Sequence, residues 1–257
     1  MYQEERLVSI LDYLKAHQSM SVNEICAHFQ ISRDTARRDI VRLTEQGAAI
    51  RTHGGIALPD LQNTVLAYRE RLQTFSGEKM RIGSMALSLI HEKGHYFFDT
   101  STTVSCMARQ LDIEVAVYTH SLDIAEILSN QTRSTVFLFG GALNKANRYL
   151  FDIESAGQLE RIHFDCAFLG AAAITEDGFY YEDKDDAFIK GTVASRSDKT
   201  VVLADSKKFT KRSRFKGLDW ENADTLITNE RPPAPFIHSE SMRGTELMIA
   251  EAGGNAV

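Results

Sequence analysis

Over the first 58 residues the apolar positions recur at helical intervals. Leu7, Ile10, Leu11 and Leu14 keep the i, i+3, i+4, i+7 spacing of a helix with one buried face. Ser21 and Glu24 have the spacing of a capping box, in which each side chain serves an amide at the start of a helix. Behind them Val22, Ile25, Cys26 and Phe29 make an apolar face. Ser32 suits the cap of a third helix with inner face Ala36, Ile40 and Leu43, and Gly47 suits its C-terminal stop. Ala49-Ile50-Arg51-Thr52 and Ile56-Ala57-Leu58 flank His53-Gly54-Gly55, which predicts a small β-hairpin closed by Pro59-Asp60.

Residues 59–75 read as a polar connector with some helical potential at Val65, Leu66, Arg69 and Leu72. After Ser76-Gly77 the pattern changes. Helices are predicted over Glu78–Ile90, Val104–Leu111, Leu122–Leu128 and from about Asp185 to Ser197. Strands are predicted over Tyr96–Asp99, Val115–Thr119, Thr135–Gly140, Cys166–Gly170, Thr200–Asp205, Thr225–Thr228 and Leu247–Ile249. Short β-rich runs alternating with helices mean an α/β fold, a parallel sheet covered on both faces. No internal repeat is present. The chain thus divides into a head over 1–58, a linker over 59–75, a larger unit over 76–250 and a small polar tail over 251–257.

Composition narrows the class. The 257 residues are 43% hydrophobic and 25% charged, ordinary for a soluble globular chain, and the formal net charge is −6. That total argues against a protein that coats nucleic acid through bulk charge. The head carries seven positive and seven negative side chains, so the whole −6 lies beyond it. The three cysteines, Cys26, Cys106 and Cys166, are odd in number and far apart, which fits free thiols in a reducing compartment. The N-terminus lacks a signal-peptide pattern. The longest uncharged run near the middle, Cys166 to Thr175, falls far short of the roughly 18 apolar residues that span a bilayer. The expectation is a cytoplasmic protein with no membrane partner.

Three helices and a hairpin make a winged helix-turn-helix. On the third helix Arg33, Thr35, Arg37, Arg38 and Arg42 follow the Ser32 cap, with Arg33 and Thr35 in the first turn, the end that enters a major groove. Arginine reads guanine through two hydrogen bonds or holds phosphate, and threonine reaches base edges or a thymine methyl. Arg51 and His53 add donors on the wing. The plainer reading is a solvated arginine face. Cap, spacing, wing and arginine-bearing helix agree, however, and agreement across levels favours a reader of double-stranded DNA.

In the larger unit the strand ending at Asp99 runs into Thr100-Ser101-Thr102-Thr103 and a helix. In a parallel sheet this turn lies at the carboxyl edge, where ligands bind. Free helix-start amides and four hydroxyls suit an anion, while simple N-capping is the bland alternative. Other strand ends bring Thr119-His120-Ser121, Gly140-Gly141, Gly170 and Asp205-Ser206-Lys207-Lys208-Phe209, with Lys190, Asp185 and Asp186 on a preceding helix. Glycine there lets backbone approach a ligand, though a turn needs it as often.

His91-Glu92-Lys93-Gly94-His95 matches a zinc-protease pattern, but Gly94 stops the helix and separates the two histidines. Cys26-x-His28 is too short to bind zinc, and Trp220 reads as a packing residue. Neither a metal nor a cofactor is expected, and no nucleophile-elbow, Walker or dinucleotide fingerprint appears.

Arg6-x3-Ile10-x3-Leu14, Ser32-x2-Thr35-Ala36-Arg37-Arg38-Asp39-Ile40 and His53-Gly54-Gly55-Ile56 together resemble the signature of the DeoR family of bacterial transcription regulators. The resemblance implies a helix-turn-helix from about Met20 to Asp39, with Asp39 in a structural role such as pairing with an arginine. It extends through Asp99-x-Ser101-Thr102-Thr103, Gly140-Gly141, Phe164-Asp165, Phe168-Leu169-Gly170, Lys190 and Ala204-Asp205-Ser206-x-Lys208-Phe209. These are similar to the family's effector domain, a Rossmann-like fold similar to ribose-5-phosphate isomerase that typically binds phosphorylated sugars. The resemblance thereby makes Asp99 through Thr103, Lys190, Asp205 and Lys208 effector candidates. This chain has His120 where the family often has Asn, and Lys207 where it often has Ser; both changes bear on ligand choice.

The expected function is a repressor of a carbohydrate-use operon, controlled by a phosphorylated sugar and acting as a homo-oligomer, a dimer or tetramer. Two alternatives stay open. One is a sugar-phosphate isomerase with a DNA-binding head, although spacing identifies no acid–base pair among Asp99, Asp185 and Asp186. The other is a constitutive DNA-binding protein whose C-terminal half only oligomerises.

Overall fold

The computed structural model describes residues 3–17, 19–45, 48–52, 54–57, 76–130, 133–237 and 242–251. The chain forms two compact units, Met1–Arg69 and Glu70–Val257. The predicted helix stop at Gly47, the wing residue His53, the Pro59-Asp60 closure, the connector over 59–75 and tail residues 252–257 lie outside the described residues.

In the first unit, helix α1 (Gln3–His17) is followed by strand β1 (Ser19–Ser21), α2 (Val22–Phe29), α3 (Arg33–Glu45) and strands β2 (Ile50–Thr52) and β3 (Gly55–Ala57). The predicted inner faces are the observed core: Leu7, Ile10, Leu14, Ile25, Ala36, Ile40 and Leu43 are buried together. The capping box is present, with the Glu24 amide donating to Ser21 Oγ at 3.2 Å and the Ser21 amide to Glu24 Oε2 at 2.7 Å. The predicted hairpin is present, with β2 antiparallel to β3, and a third strand extends it. β1 pairs antiparallel with β3, giving a three-stranded sheet of order β1-β3-β2. Gly55 is required by that pairing, because a Cβ there would overlap the Met20 carbonyl.

The second unit opens with α4 (Ser76–Leu87), β4 (His95–Phe98), α5 (Thr102–Ala108), β5 (Ala116–Thr119), α6 (Leu122–Ser129) and β6 (Thr135–Leu138). A hairpin, β7 (Ala142–Asn144) and β8 (Tyr149–Phe151), leads into α7 (Ile153–Leu159) and β9 (Cys166–Gly170). Then come β10 (Ala173–Thr175), β11 (Gly178–Tyr181), α8 (Lys184–Ala194), β12 (Thr200–Leu203), β13 (Phe215–Leu218), β14 (Thr225–Thr228), α9 (Ala234–Ile237) and β15 (Glu246–Ile249). The main sheet has seven strands in the order β15-β14-β12-β9-β4-β5-β6, and every pair is parallel.

Alternate residues of the central strands enter two different cores. Phe97, Ala167, Leu169 and Val202 pack on one face; Tyr96, Phe98, Cys166, Phe168, Val201 and Leu203 pack on the other. Burial on both faces explains why these strands read as continuous apolar runs. Trp220 lies in the first of these cores and donates from Nε1 to the Thr175 carbonyl at 2.8 Å. Cys106 and Cys166 are buried free thiols, and burial pushes Cys166 up to about 12.

The helix predicted over Glu78–Ile90 ends at Leu87, and the chain turns through His91–Gly94 with Lys93 at φ 63°. His91 and His95 therefore do not share a helical face. The hairpin β7–β8, helix α7 and the small antiparallel sheet β10-β11-β13 were not expected from the sequence pattern. Among the described residues no helix is long and apolar enough to cross a membrane.

Candidate functional site

The DNA-facing candidates sit on α3. Ser32 accepts the Thr35 amide at 3.2 Å and its hydroxyl lies 2.9 Å from Thr35 Oγ1, so it serves as the cap that aims the helix start. Ala36, Ile40 and Leu43 turn inward, and Arg37, Arg38 and Val41 are exposed. Arg33 Nη2 donates to Asn23 Oδ1 on α2 at 2.8 Å. Arg51 is exposed on β2, and Gly54, at φ 105°, forms the wing turn where a side chain is disfavoured.

Asp39 is the exception on this basic helix. It is fully buried and accepts Arg6 Nε at 2.6 Å and Nη2 at 3.2 Å. Gln3 Nε2 donates to the same carboxylate at 3.0 Å, and Gln3 Oε1 in turn accepts Arg42 Nη1 at 2.9 Å. Asp39 is thus a structural tie between α1 and α3, pairing with an arginine as the family resemblance implies. Arg42 braces the same tie.

In the second unit the carboxyl edge of the parallel sheet gathers a buried charged cluster. Asp99, at the end of β4, accepts the Ser101 amide at 2.7 Å and the Gly170 amide at 2.6 Å. Lys190 Nζ lies 3.2 Å from Asp99 Oδ2 and 2.6 Å from Asp186 Oδ2, one helical turn away on α8. His120 Nε2, at the end of β5, lies 3.3 Å from Asp186 Oδ1, and Thr100 Oγ1 lies 3.5 Å from the same atom. The Lys190 ammonium also sits 4.1 Å from the centre of the Tyr181 ring. Asp99, His120 and Lys190 are all buried.

Burial by itself would raise Asp186 and lower Lys190. Their mutual attraction, with Asp99 beside Lys190 and His120 beside Asp186, reverses both effects. The Asp186 carboxyl is held well below the usual carboxylate range and Lys190 is raised above the usual amine range. Burial, and then Asp183, push the Tyr149 phenol up; burial does the same to Tyr181.

Of the effector candidates, the structure brings together Asp99, Thr100, Ser101, His120, Gly170 and Lys190. Ser101 accepts the Val104 amide at 3.1 Å and so acts as the N-cap of α5, the bland role weighed for it. Thr102 and Thr103 are buried in the first turn of that helix. Ser121 caps α6 through the Ile124 amide at 3.3 Å. Asp205 accepts the Lys207 amide at 3.2 Å and caps the turn that carries Lys208, at the end of β12.

The glycines divide by reason. A Cβ on Gly141, at φ 132°, would overlap the Phe151 carbonyl, so this residue serves the β7–β8 hairpin; Gly140 faces open space. A Cβ on Gly170 would overlap Cβ and Oγ of Ser101. Gly170→Ala is expected to destabilise the second unit by about 1–3 kcal/mol through this overpacking, read as an earlier denaturant midpoint at unchanged slope. A midpoint equal to wild type would refute the overlap.

The charged core of the site includes residues that strand-end reasoning left out. Asp186 reads in the sequence as a helix carboxylate near the strand ends and as a candidate base, and its i, i+4 spacing to Lys190 is the signal for their pairing. Tyr181 and Tyr149 carried no sequence signal. Tyr149 comes from β8, its ring centre 5.4 Å from that of His120, and Asn144 of β7 donates to Asp183 at 2.8 Å.

Comparison with known proteins gives two family matches. Residues 6–62 match a DeoR-like helix-turn-helix domain and residues 74–230 a DeoR C terminal sensor domain. Over 252 residues, 98% of each chain, the sequence is 38% identical to the HTH-type transcriptional repressor GlcR of Bacillus subtilis (strain 168). It is 26% identical over 236 residues to the glycerol-3-phosphate regulon repressor of Escherichia coli (strain K12), covering 91% of this chain and 93% of that one. Among solved structures, ribose 5-phosphate isomerase A of Methanocaldococcus jannaschii aligns with 51% of this chain and 52% of its own, at 16% identity and a TM-score of 0.37.

Proposed function

The chain belongs to the DeoR family of transcription regulators, and on that premise we propose that it represses a carbohydrate-metabolism operon under the control of a phosphorylated sugar. The observation that carries the DNA half of this reading is α3. Arg37 and Arg38 stand exposed over the packed support of Ala36, Ile40 and Leu43. In this reading Arg33, Thr35, Arg37 and Arg38 face double-stranded operator DNA, Ser32 and Arg42 hold the helix that presents them, and Arg51 and His53 approach the backbone from the wing. Val41, exposed among the arginines, offers an apolar surface to a thymine methyl.

The effector half rests on the charged cluster at the carboxyl edge of the sheet, where open α/β sheets bind ligands. The first-turn amides of Thr102 and Thr103, which have no partner within their own helix, suit the anionic group, while Lys190 holds Asp99 and Asp186 in place. Asp99, Asp186 and His120 suit hydroxyls. We assign Asp205, Lys208, Ser121, Gly140 and Gly141, at or just beyond the ends of neighbouring strands, to the rim of this site. We read this as a binding site and not an isomerase centre. Asp99 and Asp186 are both tied up by Lys190, and the relatives that align over nearly the whole chain are named repressors.

The proposed working form is a cytoplasmic homo-oligomer, a dimer or tetramer, whose heads meet half-sites spaced by whole helical turns. The head is 1–58, the linker 59–75, the sensor 76–250 and the tail 251–257. The test is binding of the purified protein to the DNA upstream of its own gene and to random DNA, with and without a panel of triose, pentose and hexose phosphates. Preference for the upstream DNA, shifted by one of these phosphates, is the expected result. Equal affinity for both DNAs under every condition would overturn the reading.

A further inference from the structure

His120 is fully buried and its ring is fixed on three sides. Phe97 stacks against it with ring centres 5.7 Å apart at 18°, and Tyr149 meets it edge-on at 5.4 Å. Nε2 lies 3.3 Å from Asp186 Oδ1. Asp186, ionised beside Lys190, can only accept, so Nε2 carries a proton. Nδ1, the other ring nitrogen, is buried and has no hydrogen-bond partner. Native proteins rarely leave such an atom unpaired, and each case calls for a reason. Tyr181 Oη, on the residue whose ring lies against Lys190, is a second buried polar atom without a partner. His120 Nδ1 thus stands within the charged cluster without the hydrogen bond that its burial calls for.

We infer that His120 selects the effector of the sensor unit, by a hydrogen bond between Nδ1 and a hydroxyl of the ligand. The inference rests on the reading of this cluster as the effector site. The chemistry fixes the class of ligand group. A hydroxyl both donates and accepts, so it satisfies Nδ1 whether or not that nitrogen carries a proton. A carboxylate or phosphate oxygen only accepts, and it would add negative charge close to Asp186 and Asp99. The anionic end of the ligand therefore belongs away from His120, and a hydroxyl-bearing carbon belongs beside it.

The two amide replacements of histidine separate the two ring nitrogens. Asparagine keeps a polar atom near the Nδ1 position and gives up the link to Asp186. Glutamine reaches the Nε2 position, keeps that link and gives up Nδ1. The experiment measures binding of glucose 6-phosphate, 2-deoxyglucose 6-phosphate, ribose 5-phosphate, 2-deoxyribose 5-phosphate and inorganic phosphate by calorimetry. The proteins are the full-length wild type, His120→Gln and His120→Asn, each first checked for a cooperative thermal transition.

The expected result is a loss of about tenfold or more in sugar-phosphate affinity for His120→Gln, with His120→Asn staying within about threefold of wild type. The analogue lacking the contacting hydroxyl should bind wild type about tenfold more weakly than its parent, and His120→Gln no differently from its parent. Wild-type affinity in His120→Gln would overturn the inference and leave the effector site standing. Equal losses in both variants would also overturn it, assigning His120 to the support of Asp186. Failure of every sugar phosphate to bind the wild type would remove the inference together with the reading beneath it.

Discussion

Lys190→Met is expected to lower the stability of the sensor unit by roughly 3–5 kcal/mol, because it strands two buried carboxylates without their cation. Lys190 is 3% exposed as a side chain and Asp99 is 0% exposed, so solvent cannot take over the lost contact. For a unit of this size that loss corresponds to a fall of about 10 °C in melting temperature. Trp220 is the only tryptophan in the chain and lies in the sensor core, so its fluorescence reports on this unit alone. Adding Asp186→Asn to Lys190→Met should recover part of the loss, since one orphan charge is then gone. A single variant melting within about 2 °C of wild type would show that the cluster is solvated and not closed.

The same pair sets a pH dependence. Asp186 has a folded pKa of about 2 against an ordinary value of 3.8. Its contribution is complete above 3.8 and is lost as the pH falls towards 2. In Lys190→Met the sign reverses, because protonation relieves the stranded carboxylates. The gap between wild type and variant should therefore narrow on acidification across this window.

Loss of DNA recognition is the second large effect. Arg38→Ala should weaken binding to the upstream DNA by about 10- to 100-fold if the arginine reads a base, with relaxed preference at one position. If it holds a phosphate, the loss is uniform across sequences and the salt dependence becomes shallower by about one unit. Arg37→Ala with Arg38→Ala should leave only non-specific binding. Both side chains are exposed, so the thermal unfolding of the whole chain by far-UV circular dichroism and sugar-phosphate binding should stay as in wild type. Unchanged affinity in the double variant, measured by fluorescence anisotropy, would place the DNA contact elsewhere.

Periodicity made the scaffold of both units readable. Ile10, Leu14, Ile25, Ala36 and Ile40 are read as inner positions and are buried together, because a helix with one wet face writes its period into the sequence. The central parallel strands are equally legible, since burial on both faces demands unbroken apolar runs, whereas the edge strands β6 and β15 stay exposed or half-buried. What escaped notice is short and set by tertiary pairing. Ser19–Ser21 has three residues, too few for a pattern, and is a strand only because Gly55–Ala57 lies beside it. The Ala142–Phe151 hairpin is similar, and it brings Tyr149 to His120 across a distance that spacing cannot reveal. Asp99 and Lys190 were visible as strand-end and helix residues. Their contact, and the part of Asp186 in it, needed the fold, because 91 positions separate Asp99 from Lys190.

The buried Arg6–Asp39 pair carries a mechanical meaning. A charge pair that cannot be broken cheaply, and that Gln3 and Arg42 reinforce, removes the joint between α1 and the reading helix. Tilting α3 against α1 would have to break that tie. A signal that moves one of these two helices therefore carries the other with it, as a key's teeth follow its bow.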